Sequence, residues 1–160
     1  MSFDCNMEAP LKTNIRLTDV LSGVAFGVAV LALVSLFYQH HLFASKAPFM
    51  AVQAGAVFLM IWARLTFGRR SFHATASTTE GGVVRSGPFR YLRHPIYASI
   101  LYFAWAGQIE SRTIASIGAG VVLTVALGVR ILLEERSLME TYPEYKAYSK
   151  EVKRVLPFIL

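Results

Sequence analysis

The sequence predicts an all-α integral membrane protein, a helical bundle of about four transmembrane helices followed by a C-terminal amphipathic helix. Of the 160 residues, 54% are hydrophobic and only 16% are charged, whereas soluble domains are about a quarter charged. Four apolar runs divide the chain, and most of the basic residues lie between or after them. The net charge of +6 is therefore explained by membrane topology, and we expect no nucleic-acid partner.

The four apolar runs define one membrane domain over residues 1–160, in contact with membrane lipids. The predicted spans are residues 20–38, 49–67, 95–109 and 113–133. The first, second and fourth runs approach the length of about 20 residues that a helix needs to cross a bilayer. Gly23 and Gly27 have the small-xxx-small spacing of helix-packing faces, which weakly suggests a homodimer. The four histidines lack cysteine partners and ligand spacing, so no metal site is predicted.

The third run is too short for the bilayer, and this places charged residues below its surface. At 1.5 Å per residue it covers about 22 Å, against a hydrocarbon core of about 30 Å. If the chain turns at Glu110 to Arg112 on the far surface, the end at His94 lies below the near surface. Arg130 is about 27 Å along the next helix and reaches a similar depth. Ionisable groups at such depth are costly and indicate function.

The charges of the connecting segments predict the orientation of the chain. The second connection and the tail are rich in arginine and lysine, whereas the other two connections offer only Lys46 and Arg112. We therefore expect both termini and the second connection to face the cytoplasm.

A basic and aromatic motif precedes the third run. It reads Gly87-Pro88-Phe89-Arg90-Tyr91-Leu92-Arg93-His94-Pro95-Ile96-Tyr97. Proline favours the first position of a helix, so Arg93 and His94 would lie at a helix amino end, which attracts anions. A simple positive anchor at the membrane boundary is an equally good explanation of these cations.

Together, the residues at this depth offer both signs of charge. Arg93, His94 and Arg130 could bind anions, while Glu134 and Glu135 could bind an ammonium group or a ribose diol. A ligand with a carboxylate, an amino group and a ribose fits this set. S-adenosylmethionine is such a ligand, and so are other nucleotides.

Three ordered blocks resemble the isoprenylcysteine carboxyl methyltransferase family. They are the motif at 87–97, the segment RILLEERSL at 130–138, and a closing segment that begins at Glu144-Tyr145 and ends at Leu156-Pro157-Phe158-Ile159. The tail departs from the family pattern at Pro143 and at Glu151-Val152-Lys153-Arg154, where the family has Arg-Val-Pro-Arg. Phospholipid methyltransferases share a looser version of these blocks, and membrane sterol reductases a related architecture.

The resemblance implies an S-adenosylmethionine-dependent methyltransferase with its active site on the cytoplasmic side, formed by residues 87–160. The implied cofactor-binding residues are Tyr91, Arg93, His94, Pro95, Tyr97, Glu134 and Glu135. The implied catalytic residues are Arg130, Glu134 and Glu135. A lipophilic acceptor would enter from the bilayer, with carboxylate O-methylation favoured. The alternatives are phospholipid or amine N-methylation and, less favoured, an NADPH-dependent reductase. The tail, with Tyr145, Tyr148 and Val152 on one face, could lie along the membrane or fold over the site.

Overall fold

The computed structural model describes residues 17–68 and 83–156. Five α-helices lie within these ranges: α1 Leu17–Tyr38, α2 Ala47–Phe67, α3 Pro95–Ser111, α4 Ile114–Thr141 and α5 Tyr145–Glu151. A short 3-10 turn, Gly87–Arg90, precedes α3. In the described ranges there is no strand, and a single parallel bridge joins Leu92 to Lys153. The predicted all-α bundle is confirmed.

Three of these helices, α1, α2 and α4, are long and apolar enough to cross a membrane. At 17 residues α3 is shorter, as its sequence predicts, so a fourth span stays a prediction. The main difference from the sequence-based bounds is that α4 continues past residue 133 to Thr141. Glu134 and Glu135 are therefore helical residues with neighbouring, differently directed side chains.

The helices are arranged in the order α2, α3, α4, α1, each packed on the next. The core lies where α1, α3 and α4 meet and is rich in alanine. Its buried members are Ala29, Ala32, Leu36, Leu101, Ala104, Leu123, Ala126 and Leu127. Small side chains let helix backbones approach closely, which is the main source of packing energy between helices in lipid.

The outer surface of the bundle is apolar, as a lipid-facing surface requires. Large side chains such as Leu31 on α1 and Phe58 and Leu65 on α2 are exposed. Gly23 and Gly27 also lie outside the packed face of α1, since a Cβ at either would meet nothing within 4 Å. They do not contribute to packing inside the bundle, and a homodimer through them stays a prediction.

Several sequence-based expectations concern residues outside the described ranges. The N-terminal segment 1–16 lies there, as do Arg69 and Arg70 of the basic connection. The closing Pro157, Phe158 and Ile159 lie there too. The structure does not test the part that these residues have in the predicted orientation or in the tail.

The connection between α1 and α2 is fixed on the end of α3. Glu110 accepts hydrogen bonds from the backbone N–H groups of Ser45 and Lys46, at 3.0 and 3.1 Å. Gln53 donates to the carbonyls of Leu42 and Phe103. At Gly107 the approach is so close that a Cβ would lie 2.4 Å from the carbonyl oxygen of His41.

We therefore predict that Gly107→Ala destabilises the bundle by about 1–3 kcal/mol, because the added methyl group would press on backbone rather than on a movable side chain. Thermal unfolding in detergent measures the effect. Gly118→Ala on α4 is the control, since nothing lies within 4 Å of a Cβ there. Equal unfolding temperatures for the two variants would contradict the prediction.

Candidate functional site

The basic motif at residues 87–97 forms a tight turn, and this turn positions Arg93 and His94 at the amino end of α3. Gly87 has a φ of +56°, and a Cβ there would lie 2.5 Å from Thr66 Oγ1, so glycine is required on both counts. His94 is the residue that precedes the helix and Pro95 is its first residue, as the sequence predicts. Both are buried.

The carboxylate of Glu135 on α4 is bound by cations from two other segments. Its Oε1 lies 2.6 Å from Arg93 Nη1 and 3.2 Å from His94 Nε2. Its Oε2 lies 2.9 Å from Arg154 Nη2. The Glu135 side chain is only 3% exposed. We call Arg93, His94, Glu135 and Arg154 the Glu135 cluster; both oxygens of its carboxylate are engaged.

The tail is what brings Arg154 into this cluster. Lys153 and Arg154 accept backbone hydrogen bonds from the N–H groups of Arg93 and His94, at 2.7 and 3.0 Å. The hydroxyl of Tyr102 on α3 donates to the carbonyl of Val155. The tail therefore folds over the motif, and a position of α5 along the membrane surface stays a prediction.

A second cluster joins α3 to α4 and to α1. The Tyr97 hydroxyl donates to Glu134 Oε2 at 3.0 Å and accepts from Arg130 Nε at 2.6 Å. Arg130 Nη1 lies 3.3 Å from both the carbonyl and the hydroxyl oxygen of Ser22. The guanidinium also faces the rings of Phe26 and Tyr97, at 5.1 and 5.9 Å. We call Ser22, Tyr97, Arg130 and Glu134 the Arg130 cluster.

The two clusters contain most of the residues that the sequence predicts for the site. The exceptions are Pro95, which is the buried first residue of α3, and Tyr91, which is 57% exposed. Two further members, Arg154 and Ser22, were missed. Residues 151–154 differ from the family pattern Arg-Val-Pro-Arg, but both end in arginine. This shared arginine could have indicated Arg154. Ser22 is a polar residue inside an apolar span, which is the signal that could have indicated it.

Glu134 and Glu135 differ in the partners they already have. Glu135 is saturated by Arg93, His94 and Arg154, whereas the hydrogen bond from Tyr97 involves one oxygen of Glu134. Glu134 is also less completely buried than Glu135. Glu134 is therefore the carboxylate with capacity for a ligand.

The charges and donors of the two clusters fit a zwitterionic nucleoside such as S-adenosylmethionine. Three arginines face two glutamates, which leaves an excess of positive charge for a ligand carboxylate. The Nε of Arg93 is buried and makes no hydrogen bond to the part of the chain that the structure describes. Glu134 could accept from an ammonium group or a ribose hydroxyl.

Tyr145 and Tyr148 of α5 are buried, and Tyr148 attaches the tail to the motif. Tyr148 donates to the carbonyl of Phe89 at 2.5 Å, and Arg85 lies over its ring at 5.5 Å. Burial raises the pKa of Tyr148 to about 12. Burial, together with the charge of Glu135, also raises the pKa of Tyr145 above its ordinary value.

The Glu135 cluster predicts a large stability difference between two matched substitutions on α4. Glu135→Gln leaves two guanidinium groups without their counter-charge, and breaking a buried ion pair costs about 3–5 kcal/mol. Glu140→Gln removes the exposed pair with Arg136, in which the side chains are 73% and 58% exposed, and costs less than about 1 kcal/mol. Thermal unfolding measures the loss of stability in the two variants, and the rate at which a protease cleaves the tail is a second measurement. Equal losses of stability in the two variants would refute the cluster's role.

The raised pKa of Tyr148 predicts that the tail loosens in alkali. Between pH 10 and 12 an unfolded tail loses the Tyr148 proton while the folded tail keeps it, so the unfolded form is favoured as pH rises. We expect the free energy of unfolding to fall from pH 9 to pH 11.5, and to fall less steeply in Tyr148→Phe. Unfolding curves at each pH measure the slopes, and parallel slopes would contradict the assignment.

Comparison with known proteins agrees with the motifs. The family model described as isoprenylcysteine carboxyl methyltransferase (ICMT) family matches residues 47–140, more than half of the chain. Methanethiol S-methyltransferase 1 of Bradyrhizobium diazoefficiens is 31% identical over 71 residues, which are 44% of this chain and 24% of that protein. The match thus spans about a quarter of that relative's length. No solved structure matches significantly.

The matched region contains α2, the motif, α3 and all of α4 except its last residue. It therefore includes both carboxylates and every cation of the two clusters except Arg154. On this match, the chain belongs to the isoprenylcysteine carboxyl methyltransferase family.

Proposed function

We propose that this protein is an integral membrane methyltransferase that uses S-adenosylmethionine to methylate a lipophilic acceptor. The observation that carries the proposal is the Arg130 cluster. It places a carboxylate, a phenol and a guanidinium within hydrogen-bonding distance of each other between α3 and α4. Such groups are rare inside a membrane bundle unless they bind a polar ligand.

In this proposal the Glu135 cluster is the fixed wall of the cofactor site. Glu135 holds Arg93 and His94 at the amino end of α3, and the unused Nε of Arg93 donates to the carboxylate of the cofactor. Glu134 accepts from its ammonium group or ribose. The bound cofactor supplies a methyl group on a sulfonium, which needs no activation by the protein.

Arg130 is the residue that we assign to the acceptor. Its guanidinium is buried and lies between two aromatic rings, where attraction to an anion is only weakly screened. An acceptor carboxylate is already ionised at pH 7 and would pair with Arg130 directly. The main task of the chain is then alignment, which can contribute several kcal/mol to the rate.

A thiol is the second candidate acceptor, and the name of the Bradyrhizobium relative favours it. A thiol reacts as the thiolate, so it must first lose a proton. Glu134 could take that proton through the Tyr97 hydroxyl, and Arg130 would stabilise the anion. An amine acceptor is less well served, since a positive charge would develop on it beside Arg130.

We place the site and both termini on the cytoplasmic side. The basic residues around the motif and in the tail support this orientation, since basic residues favour the cytoplasmic ends of spans. The described basic residues of the two segments are Arg64, Arg85, Arg90, Arg93, Arg136, Lys146, Lys150, Lys153 and Arg154.

The proposal predicts that the detergent-solubilised protein binds S-adenosylhomocysteine and not NADPH. It also predicts transfer of labelled methyl from S-adenosylmethionine to methanethiol or to S-farnesylcysteine, with phosphatidylethanolamine vesicles as the test for N-methylation. Titration calorimetry and product identification measure the two steps. Tight binding of NADPH without binding of S-adenosylhomocysteine would overturn the proposal and favour a reductase.

Glu134→Gln tests the cofactor contact. We expect its affinity for S-adenosylhomocysteine to fall about tenfold or more, because a charge-assisted hydrogen bond is lost. Glu140→Gln, an exposed position on the same helix, should bind like the wild type. Unchanged affinity in Glu134→Gln would remove Glu134 from the cofactor site.

A further inference from the structure

Helix α1 lies outside the region that the family model matches, which begins at residue 47. It nevertheless reaches the Arg130 cluster. Arg130 Nη1 lies 3.3 Å from the hydroxyl and the carbonyl oxygen of Ser22. The ring of Phe26, one turn farther along α1, faces the same guanidinium at 5.1 Å.

The position of Ser22 makes these contacts specific. Ser22 is fully buried on the face of α1 that packs against α4, in register with Ala25 and Ala29. Its oxygens meet the tip of the guanidinium, whereas Tyr97 binds the Nε nearer the chain. If Tyr97 were the only partner, the guanidinium of Arg130 could rotate about its side-chain bonds. With contacts to both Tyr97 and Ser22, the plane of the guanidinium is fixed.

We propose that Ser22 is a positioning residue that holds Arg130 in the orientation needed to meet the acceptor, so that α1 completes the acceptor half of the site. The part of this inference that concerns the acceptor rests on the proposed function. The hold of Ser22 on Arg130 does not depend on it. Phe26, which is 45% exposed, holds its ring 5.1 Å from the same guanidinium.

The first measurement is independent of methyl transfer. Phenylglyoxal modifies free guanidinium groups, and mass spectrometry of the labelled protein gives the rate at Arg130. We expect Ser22→Ala to label about three to ten times faster than the wild type, because a hydrogen bond to a charged group is lost. Ser22→Thr keeps the hydroxyl and should restore the slow rate. Ser35→Ala is the matched control on α1, since Ser35 is exposed and its hydroxyl accepts from Gln39.

The second measurement is kinetic. With methanethiol or S-farnesylcysteine, whichever the wild type methylates faster, Ser22→Ala should raise KM for the acceptor and leave the affinity for S-adenosylhomocysteine unchanged. Ser22→Thr should restore KM. A merely structural role would instead raise KM, weaken the affinity for S-adenosylhomocysteine and lower the unfolding temperature together. If Ser22→Ala does not fold, Ser22→Cys replaces it, since its size is similar and sulfur is a poor acceptor.

The results separate this inference from the proposed function. Labelling of Arg130 in Ser22→Ala at the wild-type rate, or equal effects of Ser22→Ala and Ser35→Ala, would overturn the role of Ser22. A wild type that binds no S-adenosylhomocysteine would overturn the proposed function, and the labelling rates would still decide whether Ser22 holds Arg130. If Ser22→Ala labels faster but its KM is unchanged, Ser22 holds Arg130 but Arg130 does not bind the acceptor, and the positioning role is overturned.

Discussion

The buried carboxylate of Glu135 is the constraint on which the end of the bundle at the start of α3 depends. An ionised group at 3% exposure is stable only if its charge is compensated and its oxygens are hydrogen-bonded. The compensating charges come from Arg93 before α3 and from Arg154 in the tail, and His94 contributes a hydrogen bond. Three stretches far apart in sequence must therefore be in place together, and the rest of the site is built on the frame they form.

The shortness of α3 gives this frame its position. A helix of 17 residues spans about 26 Å at 1.5 Å per residue, less than a hydrocarbon core of about 30 Å. If α3 crosses the membrane with its carboxyl end at the far surface, its amino end begins below the near surface. Helix α4 continues past that end as far as Thr141. Near that end, polar side chains of α3 and α4 contact each other, as Tyr97 does with Glu134 and Arg130.

Sequence reasoning could predict the parts of this arrangement that depend on length, turn chemistry and charge. The start of α3 at Pro95 and the meeting of Arg130 with the motif follow from such arguments. It could not tell Glu134 from Glu135, because neighbours on a helix point about 100° apart and either direction satisfies the pattern. It also missed Ser22, because a serine in an apolar span indicates a polar contact but does not show which other helix makes it. The backbone pairing of residues 92–94 with 153–154 has no side-chain pattern that could predict it.

The two glutamates differ in how many partners their carboxylates already have. Glu135 is saturated by cations of its own chain, so any ligand that used it would have to replace a partner and loosen the tail. Glu134 interacts with Tyr97 and, through that phenol, with Arg130 and α1. Changes in α1 could therefore alter what faces Arg130 while the Glu135 frame stays intact. The Glu135 cluster and the Arg130 cluster are thus held by different parts of the chain, the first by the tail and the second by α1.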